Sequence, residues 1–158
     1  MLTVVIPVLN EEKTIGNVVR FCQQFPLVTE IIVVDDKSED NTVKIAGEAG
    51  AQVIISQIRG KGISMKDGIA KATNEFIIFL DGDIDPYPEG TISNLAAPLL
   101  ADEADFVKGS FARNAGRVTE LVAKPLLNIF YPGLSHFSQP LSGMIAGKKS
   151  FFNKIDFF

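Results

Sequence analysis

The chain has 158 residues, 46% of them hydrophobic and 22% charged, with a formal net charge of −4 and a pI near 5.0. This is the size and composition of a single globular domain, residues 1–158, with a full core. The acidic balance excludes a general nucleic-acid binder but admits a phosphorylated ligand held by a few local cations. One cysteine, Cys22, and one histidine, His136, exclude an internal disulfide, a cysteine-rich zinc site and any multi-histidine metal site.

Met1 leads directly into a β-type run, so no secretory signal is visible. No stretch approaches the roughly 18 to 20 apolar residues of a membrane span, and a cytoplasmic protein is expected. Leu2 to Val8 is a near-continuous apolar run, the pattern of a strand buried on both faces. Ile15, Val18, Val19 and Cys22 then recur at helical spacing and place Cys22 in the core. Asn10 can cap that helix, with Glu11 and Glu12 in its first turn. Ile31 to Val34 reads as a second buried strand, ending at Asp35-Asp36. Ser38 or Asp40 can cap the next helix, which carries Val43, Ala46 and Gly50 on its inner side. Ala51 to Ile55 is a third strand, and Arg59-Gly60-Lys61-Gly62 a loop before a helix marked by Met65, Ile69 and Ala72. Phe76 to Leu80 is a fourth strand, Ile92, Leu95, Ala96 and Leu99 mark a fourth helix, and Asp105 to Ser110 a fifth strand.

Strands alternating with helices predict an α/β fold with a mostly parallel sheet, helices on its faces and right-handed crossovers. Ligands of such sheets bind beyond the carboxyl ends of the strands. The polar residues collect at those ends: Asn10-Glu11-Glu12, Asp35-Asp36, Lys61 and Asp81-Gly82-Asp83. Asp81 and Asp83 offer hard oxygens of the kind Mg²⁺ and Mn²⁺ prefer, and Gly82 leaves the backbone open to a diphosphate. A strand ending in a polar turn has the same composition. Asp36 stands where it could accept from a nucleobase, or it is a turn aspartate. Lys61, between two glycines, suits a base or phosphate, or the segment is a solvated basic turn.

Taken together, Pro7-x-x-Asn10-Glu11-Glu12, Ile31 to Asp36 with Ser38 and Asp40, Gly60-Lys61-Gly62 and Asp81-Gly82-Asp83 resemble the family 2-like GT-A glycosyltransferases over residues 2–110. The resemblance implies a GT-A, Rossmann-like nucleotide-sugar-binding fold. It implies that Pro7, Leu9, Glu11, Asp36 and Lys61 hold the donor's nucleoside, and that Asp83, assisted by Asp81, binds Mg²⁺ or Mn²⁺ at the diphosphate. A narrower likeness follows in Phe106 to Phe111, Gly116 to Leu127 and Gln139-Pro140-Leu141-Ser142-Gly143, which resemble the glucosyl-3-phosphoglycerate synthases and their mannosyl relatives. It implies a hexose transfer, with retention of configuration, from a nucleoside-diphosphate sugar to a small anionic acceptor such as 3-phosphoglycerate. Gly116, Arg117, Val118 and Thr119 would bind that acceptor. Residues 1–110 would then be the donor half and 111–158 the start of an acceptor half.

Arg117 offers a planar fork suited to carboxylate or phosphate, Thr119 a hydroxyl, and a helix opening there would favour an anion. Pro125 limits or kinks that helix. Two departures stand out. Those enzymes read Ser-Gly-Glu-Tyr-Ala where this chain has Ser142-Gly143-Met144-Ile145-Ala146, so a carboxylate near the sugar or acceptor is missing. Their metal-ligating histidine lies well beyond residue 158, and His136 does not match it; a surface or structural histidine is expected. Leu121 to Leu134 is expected to pack in the core or against further residues, with a lipid-phosphate acceptor, as in polyprenyl-phosphate glycosyltransferases, as the alternative. A non-catalytic nucleotide-sugar-binding module is the other alternative. Four phenylalanines in the last nine residues suggest an exposed aromatic end, of an incomplete domain or of a partner surface such as a homodimer's.

Overall fold

The computed structural model describes residues 1–110 and 116–155. The first half alternates strictly: β1 (Leu2–Val8), α1 (Ile15–Gln23), β2 (Val28–Asp35), α2 (Thr42–Glu48), β3 (Gln52–Ile55), α3 (Lys61–Lys71), β4 (Phe76–Phe79), α4 (Thr91–Leu100) and β5 (Phe106–Lys108). A π-helical turn, Thr119–Ala123, then runs into α5 (Lys124–Phe130), and β6 (Ile145–Lys148) and α6 (Lys149–Phe152) follow. The strands form one sheet in the order β3-β2-β1-β4-β6-β5.

Burial on both faces explains the near-continuous apolar strands. Leu2, Val4, Ile6 and Val8 of β1 face one layer, where they meet Ile15, Val18, Val19 and Cys22 of α1 and Ile92, Leu95, Ala96 and Leu99 of α4. Val5 faces the other layer with Ile32, Val34, Ile77 and Phe79, under Ile69 of α3 and Phe152 of α6. Both stripes expected for α1 and α4 are buried. Burial pushes the Cys22 thiol up to about 12, because a thiolate would have to leave water for hydrocarbon.

β6 inserts between β4 and β5 and is antiparallel to both, so β5 runs in the same direction as β1 to β4 and the sheet is mostly parallel, as expected, with β6 as its antiparallel strand. β6 escaped the sequence because Ile145-Ala146-Gly147-Lys148 is short and half small residues. Gly147 is needed small: a Cβ there would stand 3.0 Å from the Phe152 ring.

Several local expectations are also corrected. Asn10 does not cap α1; it sits at φ 57 and its Oδ1 accepts from Glu39 N at 2.8 Å, while Thr14 takes the N-cap position. Glu11 and Glu12 therefore precede the helix. Asn41, not Ser38 or Asp40, precedes α2, although Asp40 Oδ1 accepts from Thr42 N at 3.0 Å. Gly50 lies beyond the end of α2, exposed, at φ 97. Phe152 is not an exposed terminal aromatic: it is 1% accessible and meets Phe79 edge-on at 5.3 Å. Phe151 is half-buried beside Phe106, 5.4 Å between centroids. Phe111, Phe157 and Phe158 lie outside the described residues.

The Leu121 to Leu134 stretch does not pack into the core. Leu121, Ile129, Phe130 and Tyr131 are each at least 64% exposed, and α5 contains no buried residue. Helical structure passes through Pro125 rather than ending there. The π-helical turn before it widens the ladder where the pyrrolidine ring would otherwise meet the carbonyl of the preceding turn. No helix among the described residues is long and apolar enough to cross a membrane.

Candidate functional site

β1 pairs with β2 on one side and β4 on the other, both in parallel. Its neighbours therefore leave in opposite directions, and a crevice opens at the carboxyl ends of β1 and β4. A cleft of about 350 Å³ lies there. Its wall includes Pro7, Leu9 and Glu11 after β1, Asp36 after β2, Lys61 at the start of α3, and Asp81 and Asp83 after β4. All seven donor-side residues singled out in the sequence are thus gathered around one volume, from four separate segments.

Each carboxylate has its own surroundings. Asp35, 1% exposed, turns inward: Oδ2 accepts from Ser38 N at 3.0 Å, and Oδ1 has no partner among the described residues. Asp36 faces the cleft and accepts from Gly60 N through both oxygens, at 2.9 and 3.0 Å. That pair of bonds fastens the end of β2 to the turn before Lys61, where Gly60 adopts φ 144. Lys61 is not in a loop but is the first residue of α3, and its Nζ meets Asp81 Oδ1 at 2.6 Å. Asp83 is exposed at the cleft rim. Glu11 is held above the usual carboxylate range by partial burial and then by the charge of Asp83.

The Asp81-Gly82-Asp83 turn is anchored by groups the sequence did not disclose. Tyr87, buried and stacked on Phe21, donates its hydroxyl to Asp81 O at 2.8 Å. Thr14 Oγ1 donates to Gly82 O at 2.7 Å. Gly82 is packed so tightly that a Cβ would stand 2.6 Å from Val8 Cγ1. Leu141 and Gly143 also line the cleft. They reach it because β6 is antiparallel, so the segment before it arrives at the end where β4 delivers its aspartates. Gly143 lies against the Asp81 carboxylate, with room for hydrogen only: a Cβ would come within 2.5 Å of Oδ2.

The acceptor-side residues are placed elsewhere. Gly116 is exposed, Arg117 and Val118 begin the helical stretch and are exposed, and Thr119 is 9% exposed. A helix does open at this segment, but none of the four lines the cleft. His136 is exposed and rests on the ring of Phe137 at 4.4 Å.

Among the described residues, no group of three or more His, Cys, Asp or Glu side chains is gathered for a metal ion. Asp81 and Asp83 nonetheless suit an ion that takes one or two carboxylates and completes its shell with phosphate and water.

Residues 3–157 match the Glycosyl transferase family 2 profile. The glucosyl-3-phosphoglycerate synthase of Petrotoga mobilis is 36% identical over 182 aligned positions, covering 99% of this chain and 56% of that protein. The crystal structure of glucosyl-3-phosphoglycerate synthase from Mycobacterium tuberculosis, in complex with Mn²⁺, UDP-glucose and phosphoglyceric acid, superposes with a TM-score of 0.90 at 35% identity, covering 98% of this chain and 59% of that one. Mannosyl-3-phosphoglycerate synthase from Rubrobacter xylanophilus superposes with a TM-score of 0.91 at 31% identity, covering 98% and 55%. The chain thus spans between 55% and 59% of the length of these three relatives.

Proposed function

The chain belongs to glycosyl transferase family 2, and on that premise we propose that it serves the transfer of a hexose from a nucleoside-diphosphate sugar to a small anionic acceptor of the phosphoglycerate type. The observation that carries this reading is the convergence of Pro7, Leu9, Glu11, Asp36, Lys61, Asp81 and Asp83 on one cleft at the switch point of the sheet. Similarity to a glucosyl-3-phosphoglycerate synthase solved with Mn²⁺, UDP-glucose and phosphoglyceric acid supports the substrate classes.

Pro7 and Leu9 supply apolar walls for a nucleoside, and Asp36 a carboxylate acceptor for its N–H groups. Lys61 brings a cation to the diphosphate end, and its pairing with Asp81 keeps both in place until a ligand competes. Asp83, assisted by Asp81, would hold Mg²⁺ or Mn²⁺. When bound, such an ion supplies Lewis-acid neutralisation of charge on the departing diphosphate. Tyr87, Thr14 and Gly82 hold the aspartate turn rigid, and rigidity matters because misplacing a catalytic group by about 1 Å can cost a hundredfold. Arg117 and Thr119 suit the acceptor's anionic groups, and transfer retains the anomeric configuration in this reading.

The test is calorimetric titration with UDP, GDP and their glucose and mannose conjugates, with Mg²⁺, with Mn²⁺ or with chelator, followed by assay of transfer to 3-phosphoglycerate. Metal-dependent binding of one donor, lost in Asp83→Ala with the fold intact, is the expected result. Unchanged metal dependence in Asp83→Ala would refute the assignment of the turn. Tight binding with no turnover would favour a nucleotide-sugar-binding module without catalysis.

One observation favours a second reading, a lipid-phosphate acceptor: the exposed apolar residues Leu121, Val122, Leu126, Ile129, Phe130 and Leu134 near the acceptor-side residues. Co-sedimentation with anionic vesicles separates the two, since a soluble acceptor predicts no lipid-dependent binding.

A further inference from the structure

Consecutive residues divide the cleft from a second cavity of about 360 Å³: Gly143 lines the first and Met144 the second. The second cavity is walled by Thr91, Asn94 and Leu95 of α4 and by Lys108, Gly109 and Ser110 at the end of β5. None of the donor-side or acceptor-side residues lines it.

Lys108 is half-buried, and its Nζ donates to the carbonyl of Ser142 at 2.7 Å. It forms no ion pair with a carboxylate among the described residues. An ammonium carries three donors, and one carbonyl satisfies one of them. Burial lowers its pKa, with the charge of Asp81 acting in the opposite direction. A cation removed from water without an ionic partner is costly, and the cost is recovered when an anion arrives. The surroundings are polar: Thr91, Asn94 and Ser110 line the same volume, the Thr91 hydroxyl donating to Pro88 O at 2.7 Å and the Ser110 hydroxyl paired with that of Ser138 at 2.6 Å, while Met144 brings no charge. Glu89 also lines it, and its charge disfavours an anion at that part of the wall, leaving the Lys108 part as the favourable one.

We propose that this cavity is an anion subsite beside the donor cleft, in which Lys108 takes a carboxylate or phosphoryl group of a substrate. The site stands on its own geometry; only the identification of that substrate with the acceptor rests on the function proposed above.

The experiment titrates the chain with inorganic phosphate, glycerate and 3-phosphoglycerate, and separately with UDP and Mn²⁺, in wild type, Lys108→Met and Lys108→Arg. Loss of a charge-assisted contact predicts a roughly ten- to hundredfold weaker anion affinity in Lys108→Met, partial retention in Lys108→Arg, and UDP affinity within about twofold of wild type in both. Phosphate binding without glycerate binding assigns the subsite to a phosphoryl group, and the converse assigns it to a carboxylate. Lys108-dependent anion binding in a chain that transfers no sugar to phosphoglycerate would uphold the subsite and reject the acceptor. The proposal is overturned if wild type binds none of the three anions, if Lys108→Met binds them as wild type does, or if it loses UDP in equal measure.

Discussion

Replacing Gly143 by alanine adds one methyl group where the structure leaves space for a hydrogen. The new Cβ would lie 2.5 Å from Asp81 Oδ2 and 2.7 Å from its Cγ, against an ordinary contact of 3.4 Å or more. Relief requires the carboxylate to move by about 1 Å. The backbone at Gly143 is not in the left-handed region, so alanine brings no dihedral strain of its own. The ion pair with Lys61 would be disturbed, but it is partly exposed, with the lysine side chain 59% accessible, and such pairs contribute only about 0–1 kcal/mol. Stability should therefore change by less than about 1 kcal/mol, while a binding group is displaced by a distance worth roughly a hundredfold. Thermal unfolding and Mn²⁺-dependent UDP titration on the same preparation read the two quantities. A Gly143→Ala chain with wild-type Tm and wild-type metal-dependent affinity would refute the placement of Asp81 as a group that works where it stands.

Gly68→Ala should show the opposite profile. Its Cβ would overlap Val5 Cγ1 and stand 3.2 Å from Val34 Cγ2, both fully buried, so denaturant unfolding should show a loss of about 1–3 kcal/mol from overpacking; an unchanged midpoint would mean that α3 does not press on the sheet as described. Tyr87→Phe removes the donor to Asp81 O and should cost about 1 kcal/mol with a weaker metal-dependent affinity for UDP, measured by the same titration. The Cys22 thiol, raised to about 12 from an ordinary 9.0, keeps its proton in the folded chain while the unfolded chain loses it above pH 9. Stability from this group is therefore fully present below pH 9 and falls by about 1.4 kcal/mol per pH unit above it. Urea unfolding at stepped pH should show wild type losing stability faster than Cys22→Ala between pH 9 and 11, and equal slopes would contradict the burial.

The elements with strong periodicity were legible because their signal is local. Four apolar residues at 15, 18, 19 and 22, or at 92, 95, 96 and 99, specify a helix face before any partner is known, and all eight are buried. Strands covered on both faces read as continuous apolar runs for the same reason, and their ends announced where polar residues would meet. Helix starts were less legible. Asn10 has the chemistry of a cap, yet a backbone at φ 57 and a bond to Glu39 across 29 positions give it another task, and no local pattern encodes that partner.

What the sequence determined alone was the kind of fold and the seven donor-side residues that meet at the cleft, since alternation of β and α periods and the position of carboxylates after strands are properties of neighbouring residues. The tertiary structure decided what those residues touch. Only the antiparallel insertion of β6 explains why Gly143 lies against Asp81, only the return of α6 to the sheet buries its Phe152 against Phe79, and only the packing around Lys108 leaves a half-buried cation without an ionic partner among the described residues. Each depends on contacts between segments tens of residues apart, whose energies come from burial and register in three dimensions and leave no period in the chain.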